Sequence, residues 1–176
     1  DVHSANATDS FSSSISRGER LMELDRIDLR ILSALQANNR LTSEELGDLV
    51  GLSSTACQRR LKRLRSEGVI ESDVSIINPK AVGRHVTMLV LVTLERERSD
   101  IIDTFKQAIK NTPEVMSGSY VTGDADFVLL VTSKDMEDYE NFTRRFFYEN
   151  NDIKSFKTMV VMDRVKAGFT LPIDDA

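Results

Sequence analysis

Two short helical patterns follow each other across a single glycine between Leu41 and Ile70, and the second is strongly basic. That pairing constrains the fold more than any other feature of the chain. In LTSEELGDLVG, residues 41–51, Thr42 and Glu45 have the spacing of a capping box. Leu46, Leu49 and Val50 supply an inward side, and Gly51 ends the helix. Next comes LSSTACQRRLKRLRSEGVI, residues 52–70. Cys57, Leu61 and Leu64 recur at four- and three-residue steps, the spacing of one helix face. Ser53 or Ser54 caps the start, and Gly68 suits a left-handed end. Arg59, Arg60, Lys62, Arg63 and Arg65 fall in this helix with no acidic residue between Ser54 and Ser66. Most charge runs are solvated helix faces. Here the preceding short helix and glycine turn make a helix-turn-helix, in which the second helix enters the DNA major groove.

The surroundings agree. The 176 residues carry a formal net charge of −5, so the basic run is a local concentration and not a bulk property. Phosphate contact needs only a local patch. One cysteine, Cys57, excludes an intrachain disulfide and fits a reducing cytoplasm. No apolar run is long enough to span a bilayer, and the opening residues lack a signal-peptide hydrophobic segment. Residues 1–20 are serine-rich and apolar-poor and are expected to form a flexible extension.

Residues 21–37 place Leu24, Ile27, Ile31, Leu32 and Leu35 at helical spacing, completing a three-helix module over 21–70. Residues 71–83 read as a small hairpin or wing and a linker, closed by Asn78-Pro79. The remainder, 84–176, changes character. Strand patterns over 84–95, 115–122, 127–132 and 153–165 alternate with helical patterns over 99–111 and 135–149. The order β-α-β-β-α-β is the ferredoxin-like arrangement, so the fold class is α+β. Such a sheet is covered by helices on one face. Its other face here still carries apolar side chains, which predicts a partner sheet and a dimer.

LDRIDLRILSALQANNRLTSEELGDLVGLS, RRLKRL, EGVI and NP, followed by VTGDADFVLLV and VVMDRVK, resemble the Lrp/AsnC (leucine-responsive/asparagine-regulator, feast/famine) transcriptional regulators over residues 22–170. The resemblance implies a DNA-binding helix-turn-helix and a C-terminal effector-sensing and oligomerisation domain. It also implies dimers assembling to tetramers or octamers, and an amino-acid effector bound between dimers. Two departures stand out. Many members have proline just after the Leu-Ser of the second helix, where this chain has Ser54-Thr55-Ala56, and Arg65 replaces a common glutamate.

For DNA, Ser53, Ser54, Thr55, Gln58 and Arg59 are the base-reading candidates, because glutamine pairs bidentately with adenine and arginine with guanine. Arg60, Lys62, Arg63 and Arg65 are phosphate clamps or solvated charges, which position without specifying. For the effector, Gly123-Asp124-Ala125-Asp126 is either a plain turn or an ammonium- and carboxylate-binding loop. The resemblance favours the second, and by the same carry-over Tyr120, Thr122, Met136 and Val160 wall the pocket. The only histidines are His3 and His85, with no ligand cluster, phosphate loop or nucleophile motif. The expectation is a non-enzymatic regulator without cofactor or metal, acting at the nucleoid in the cytoplasm. Two other readings stand beside it: an architectural nucleoid-type protein without effector, and a sirohaem-decarboxylase-like enzyme.

Overall fold

The computed structural model describes residues 23–174. The expected extension over 1–20 and the first residues of the expected helix at 21–22 lie outside them. The chain divides into two compact units: one runs to Ser75 and takes up the chain again from Phe169, and the other is Ile76–Gly168.

The first unit contains α1 (Arg26–Ala37), α2 (Ser43–Val50) and α3 (Ser54–Ser66). Helix α1 starts later than its apolar spacing predicts because Asp25 caps it. The Asp25 carboxylate accepts the Asp28 N–H at 2.8 Å and the Asp28 carboxylate accepts the Asp25 N–H at 3.2 Å. Thr42 and Glu45 form the expected second capping box. Gly51, in the left-handed region at φ 76°, ends α2. Ile31, Leu46, Val50, Cys57, Leu61 and Leu64 form the core of the three helices. Leu49, expected inward, is exposed instead. The last residues also join this unit, where the sequence reading ran the second domain to residue 176. The Gln36 side chain brackets Leu171, donating to its carbonyl at 3.1 Å and accepting its N–H at 2.7 Å. No strand forms over residues 71–78, so the expected hairpin is absent there. Only a short helical turn, Pro79–Val82, precedes the sheet.

The second unit contains β1 (Val86–Leu94), α4 (Ser99–Lys110), β2 (Val115–Tyr120), β3 (Phe127–Ser133), α5 (Met136–Thr143) and β4 (Ile153–Val160). The antiparallel sheet has strand order β2-β3-β1-β4. This is the ferredoxin-like topology expected from the element order. Met88, Val90, Val92 and Leu94 of β1 and Phe127, Leu129 and Val131 of β3 pack against Phe105, Phe142 and Phe147. The period-two alternation puts Leu89, Leu91, Val128 and Leu130 on the opposite face, where they are only partly covered. A π-helical turn, Arg144–Tyr148, follows α5. Phe146, which α-helical spacing nominates, packs partly buried against this core, and the π-helical turn brings the neighbouring Phe147 into it as well, fully buried.

Candidate nucleic-acid interface and effector loop

The recognition surface is built on α3. Ser53 accepts the Ala56 N–H at 3.3 Å, so its hydroxyl serves as the helix cap. From Thr55, three- and four-residue steps reach Gln58, Arg59 and Lys62, all exposed, with Ser54 half-buried at their edge. Gln58 and Lys62 border a shallow groove completed by Ser43 of α2 and by Arg65 and Ser66. Opposite them Cys57, Leu61 and Leu64 are buried. Burial holds the Cys57 thiol above its ordinary pKa, which suits a packing role.

Three of the expected DNA-contacting cations have other partners. Arg60 donates to Asp25 at 2.6 Å and to Asp28 at 2.8 Å, and Arg63 donates to the second oxygen of Asp28 at 2.5 Å. Asp28 is fully buried. Arg60 stands beside the apolar stripe of α3, which is why it turns toward α1 and not outward. Its hydrogen bond holds the Asp25 carboxyl below the usual 3.8, while Asp25 and Asp28 raise the Arg60 pKa. Arg65 pairs with Asp73 at 2.9 Å. Among the described residues, Arg59 and Lys62 form no ion pair. Arg30 of α1 also caps α2, donating to the Leu49 carbonyl at 2.7 Å and the Val50 carbonyl at 3.5 Å. The polar face of α1 therefore fixes both helices of the helix-turn-helix. Sequence reasoning missed this. The signal was the three-residue spacing of Asp25 and Asp28, the same spacing that gave away Thr42 and Glu45.

In the second unit, residues 121–126 join β2 to β3. Gly123 has φ 126°, which disfavours any side chain. Asp126 continues the pairing of β3 with β1. Its N–H donates to the Val92 carbonyl at 2.9 Å, and its carboxylate accepts the Leu94 N–H at 2.7 Å. Its carbonyl takes the Val121 N–H at 2.9 Å. The turn therefore depends on Asp126 for its own geometry, and the other carboxylate oxygen of Asp126 accepts no hydrogen bond among the described residues. The N–H groups of residues 122–125 enter no backbone hydrogen bond among the described residues. Tyr120, half-exposed, packs on Phe127 at 5.0 Å between ring centroids, with the Lys106 ammonium 5.3 Å from its own centroid. Lys106 was not among the sequence candidates.

The seven effector candidates do not converge within one chain. Tyr120, Thr122, Gly123, Asp124 and Asp126 cluster where Tyr120 pairs with Phe127 and Phe127 with Val92. Val160 pairs with Met88, four residues along β1 from that level and on the far edge strand. At about 3.3 Å per residue and 4.8 Å per strand, the two places lie on the order of 19 Å apart. Met136 opens α5 after β3 has run the same way, and its side chain is exposed and not part of the core.

Among the described residues no group of three or more His, Cys, Asp or Glu side chains could hold a metal ion, and no helix is long and apolar enough to cross a membrane. The family model described as "Winged helix-turn-helix DNA-binding" matches residues 24–71, and the "Lrp/AsnC ligand binding domain" model matches residues 87–171. The "Uncharacterized HTH-type transcriptional regulator y4tD" of Sinorhizobium fredii is 75% identical over 153 residues, covering 87% of this chain and 90% of that protein. The leucine-responsive regulatory protein of Haemophilus influenzae is 33% identical, covering 84% and 89%. A Neisseria meningitidis transcriptional regulator solved as an L-Met complex superposes with a TM-score of 0.79 at 29% identity, covering 86% of this chain and 98% of that one. An AsnC-family regulator from Agrobacterium tumefaciens gives 0.79 at 30% identity, with the same coverage. The chain belongs to the Lrp/AsnC family of transcriptional regulators, with an N-terminal winged helix-turn-helix and a C-terminal ligand-binding domain.

Proposed function

We propose that the protein is a sequence-specific DNA-binding regulator whose C-terminal domain senses an amino acid. The observation that carries the reading is the outward face of α3. Thr55, Gln58, Arg59 and Lys62 stand exposed in one row on a helix whose opposite side is locked into a core. Ser53 and Ser54 add hydroxyls at the helix start. Two copies related by a two-fold axis present two such rows to successive major grooves, about 10 bp apart. The partly covered face of the sheet, with Leu89, Leu91, Val128 and Leu130, supplies the surface for that pairing. Dimers then assemble to tetramers or octamers.

The effector loop suits an amino acid because it offers both required charges. The unpaired N–H groups of residues 122–125 receive an α-carboxylate, and the remaining oxygen of Asp126 receives an α-ammonium. Met136 and Val160 belong to such a pocket only when a second chain brings them to the loop. The Neisseria relative crystallised with L-Met supports this ligand class.

Selection from random duplexes with the full chain, followed by binding titrations, tests the DNA reading. The expected ratio of operator to non-specific affinity is at least about 10³. A ratio near one would leave an architectural protein. A thermal-shift screen of the twenty amino acids tests the effector. A ligand at 100 times its Kd adds about 2.7 kcal/mol of stability. The screen fails the reading if none shifts the melting temperature, or if a hit is unaffected in Asp126→Ala.

A further inference from the structure

Five cations line α3 in the sequence, yet two of them have no carboxylate partner among the described residues. The distribution is not random along the helix. Arg59 and Lys62 belong to the exposed row that begins at Thr55. Arg60 and Arg63 lie on the flank toward α1, and each reaches a different oxygen of the same buried carboxylate, Asp28. A carboxylate with no exposure cannot be hydrated, so its hydrogen bonds come from those guanidinium groups and from the Asp25 N–H. Asp25, half-exposed beside it, adds a second oxygen to Arg60.

We infer that Asp28 is a positioning residue for DNA reading: it withholds Arg60 and Arg63 from the phosphates, so that Arg59 and Lys62 carry the electrostatic contact of α3 and the helix keeps one orientation. This rests on the proposed role of α3 as the DNA reader. The consequence concerns specificity. Four mobile cations on one helix bind any duplex, because phosphate contact carries no sequence information. With two of them pinned, non-specific affinity is held down, and the register of Gln58 and Thr55 against the bases is set by the protein core.

The salt dependence of DNA binding reads this directly. Each phosphate contact contributes about 0.9 to the slope of log Kobs against log salt. Titrations of the full chain use the selected operator and a scrambled duplex. Arg59→Gln and Lys62→Gln are expected to lower the slope by about 0.9 per protomer each, and Arg63→Gln to leave it unchanged. Asp28→Asn releases Arg63 and leaves Arg60 held by Asp25 alone. It is expected to steepen the slope by about 0.9 per protomer and to cut the operator preference at least tenfold. A purely structural role would reduce the folded fraction and displace the line without tilting it.

If Asp28→Asn does not fold, Arg63→Gln decides, because Arg63 is half-exposed and Asp28 retains Arg60. A slope lowered by Arg63→Gln as much as by Arg59→Gln overturns the inference, as does an Asp28→Asn protein that folds with the wild-type slope and preference. If instead the wild type shows no operator preference and Arg59→Gln and Lys62→Gln leave the slope unchanged, it is the DNA-reading role of α3 that fails.

Discussion

Replacing Gly47 with alanine tests whether the angle between α2 and α3 is set by backbone contact. Gly47 is buried in α2, and a Cβ built there lies 2.4 Å from the Leu52 carbonyl oxygen and 3.5 Å from its carbonyl carbon. The same turn is closed by the Leu52 N–H donating to the Gly47 carbonyl at 2.9 Å. An ordinary contact begins at 3.4 Å, so the chain entering α3 must retreat by about 1 Å. No rotamer relieves a clash with backbone. Alanine gains about 1 kcal/mol of helix propensity over glycine. Overpacking a site that cannot yield sits at the upper end of about 1–3 kcal/mol. The net loss is about 2 kcal/mol, which lowers the melting temperature of this small unit by roughly 8–16 °C. Gly51→Ala is the matched control. It has φ 76° and nothing within 4 Å of the added carbon, so it costs about 1–2 kcal/mol of left-handed strain without pushing α3. Circular dichroism gives the melting temperatures, and fluorescence anisotropy gives DNA affinity per folded molecule. Gly47→Ala should lose operator affinity even where fully folded, and Gly51→Ala should keep it. A Gly47→Ala protein as stable as wild type and with its operator affinity intact would refute the argument.

Other perturbations follow from the same geometry. The Asp25 carboxyl is held below its ordinary 3.8 by Arg60, so its contribution is present above that pH and lost as pH falls through the lower folded value. An acid titration of the helix-turn-helix unit by circular dichroism should therefore be shallower below pH 3.8 in Asp25→Asn than in wild type. Leu46→Ala removes a fully buried side chain and should cost about 2–5 kcal/mol in denaturant unfolding. Asp126→Ala orphans the Leu94 N–H and should cost about 1–2 kcal/mol, whereas Asp126→Asn keeps an acceptor and should unfold close to wild type. Leu130→Lys on the partly covered sheet face should shift sedimentation velocity toward the monomer without changing the secondary structure.

Element order and topology were legible because each element announces itself locally. The alternation through β1, the Thr42–Glu45 box, the Gly51 and Gly68 ends and the amphipathic spacing of α3 are all short-range signals. What was not legible depends on partners distant in sequence. Asp126 reads as a turn residue, but its carboxylate serves the Leu94 N–H, 32 residues earlier. Leu49 has the right spacing for a core position yet is exposed, because Leu46, Gly47 and Val50 form the side of α2 that is buried. The turn over Arg144–Tyr148 adds Phe147 to the core beside Phe146, a position that 3.6-residue spacing does not give. The candidate effector residues were grouped by resemblance. The register of β4 then put Val160 at the far corner of the sheet from Tyr120.

A basic run is a poor count of phosphate contacts for a reason that extends beyond this helix. A recognition helix must pack one side against its own domain, and residues on the flanks of that side are within reach of neighbouring helices. Arginine reaches farther than the apolar residues beside it, so a flank arginine meets the neighbour first. Whether it serves DNA or the fold is decided by what that neighbour offers. Here α1 offers Asp28, buried and three residues after the exposed Asp25 at a helix start. The acidic surplus of the chain is thus partly spent inside the domain that must bind an anion. The two cations left outward are enough to attract a duplex, and few enough that Gln58 and Thr55 decide where on it the protein rests.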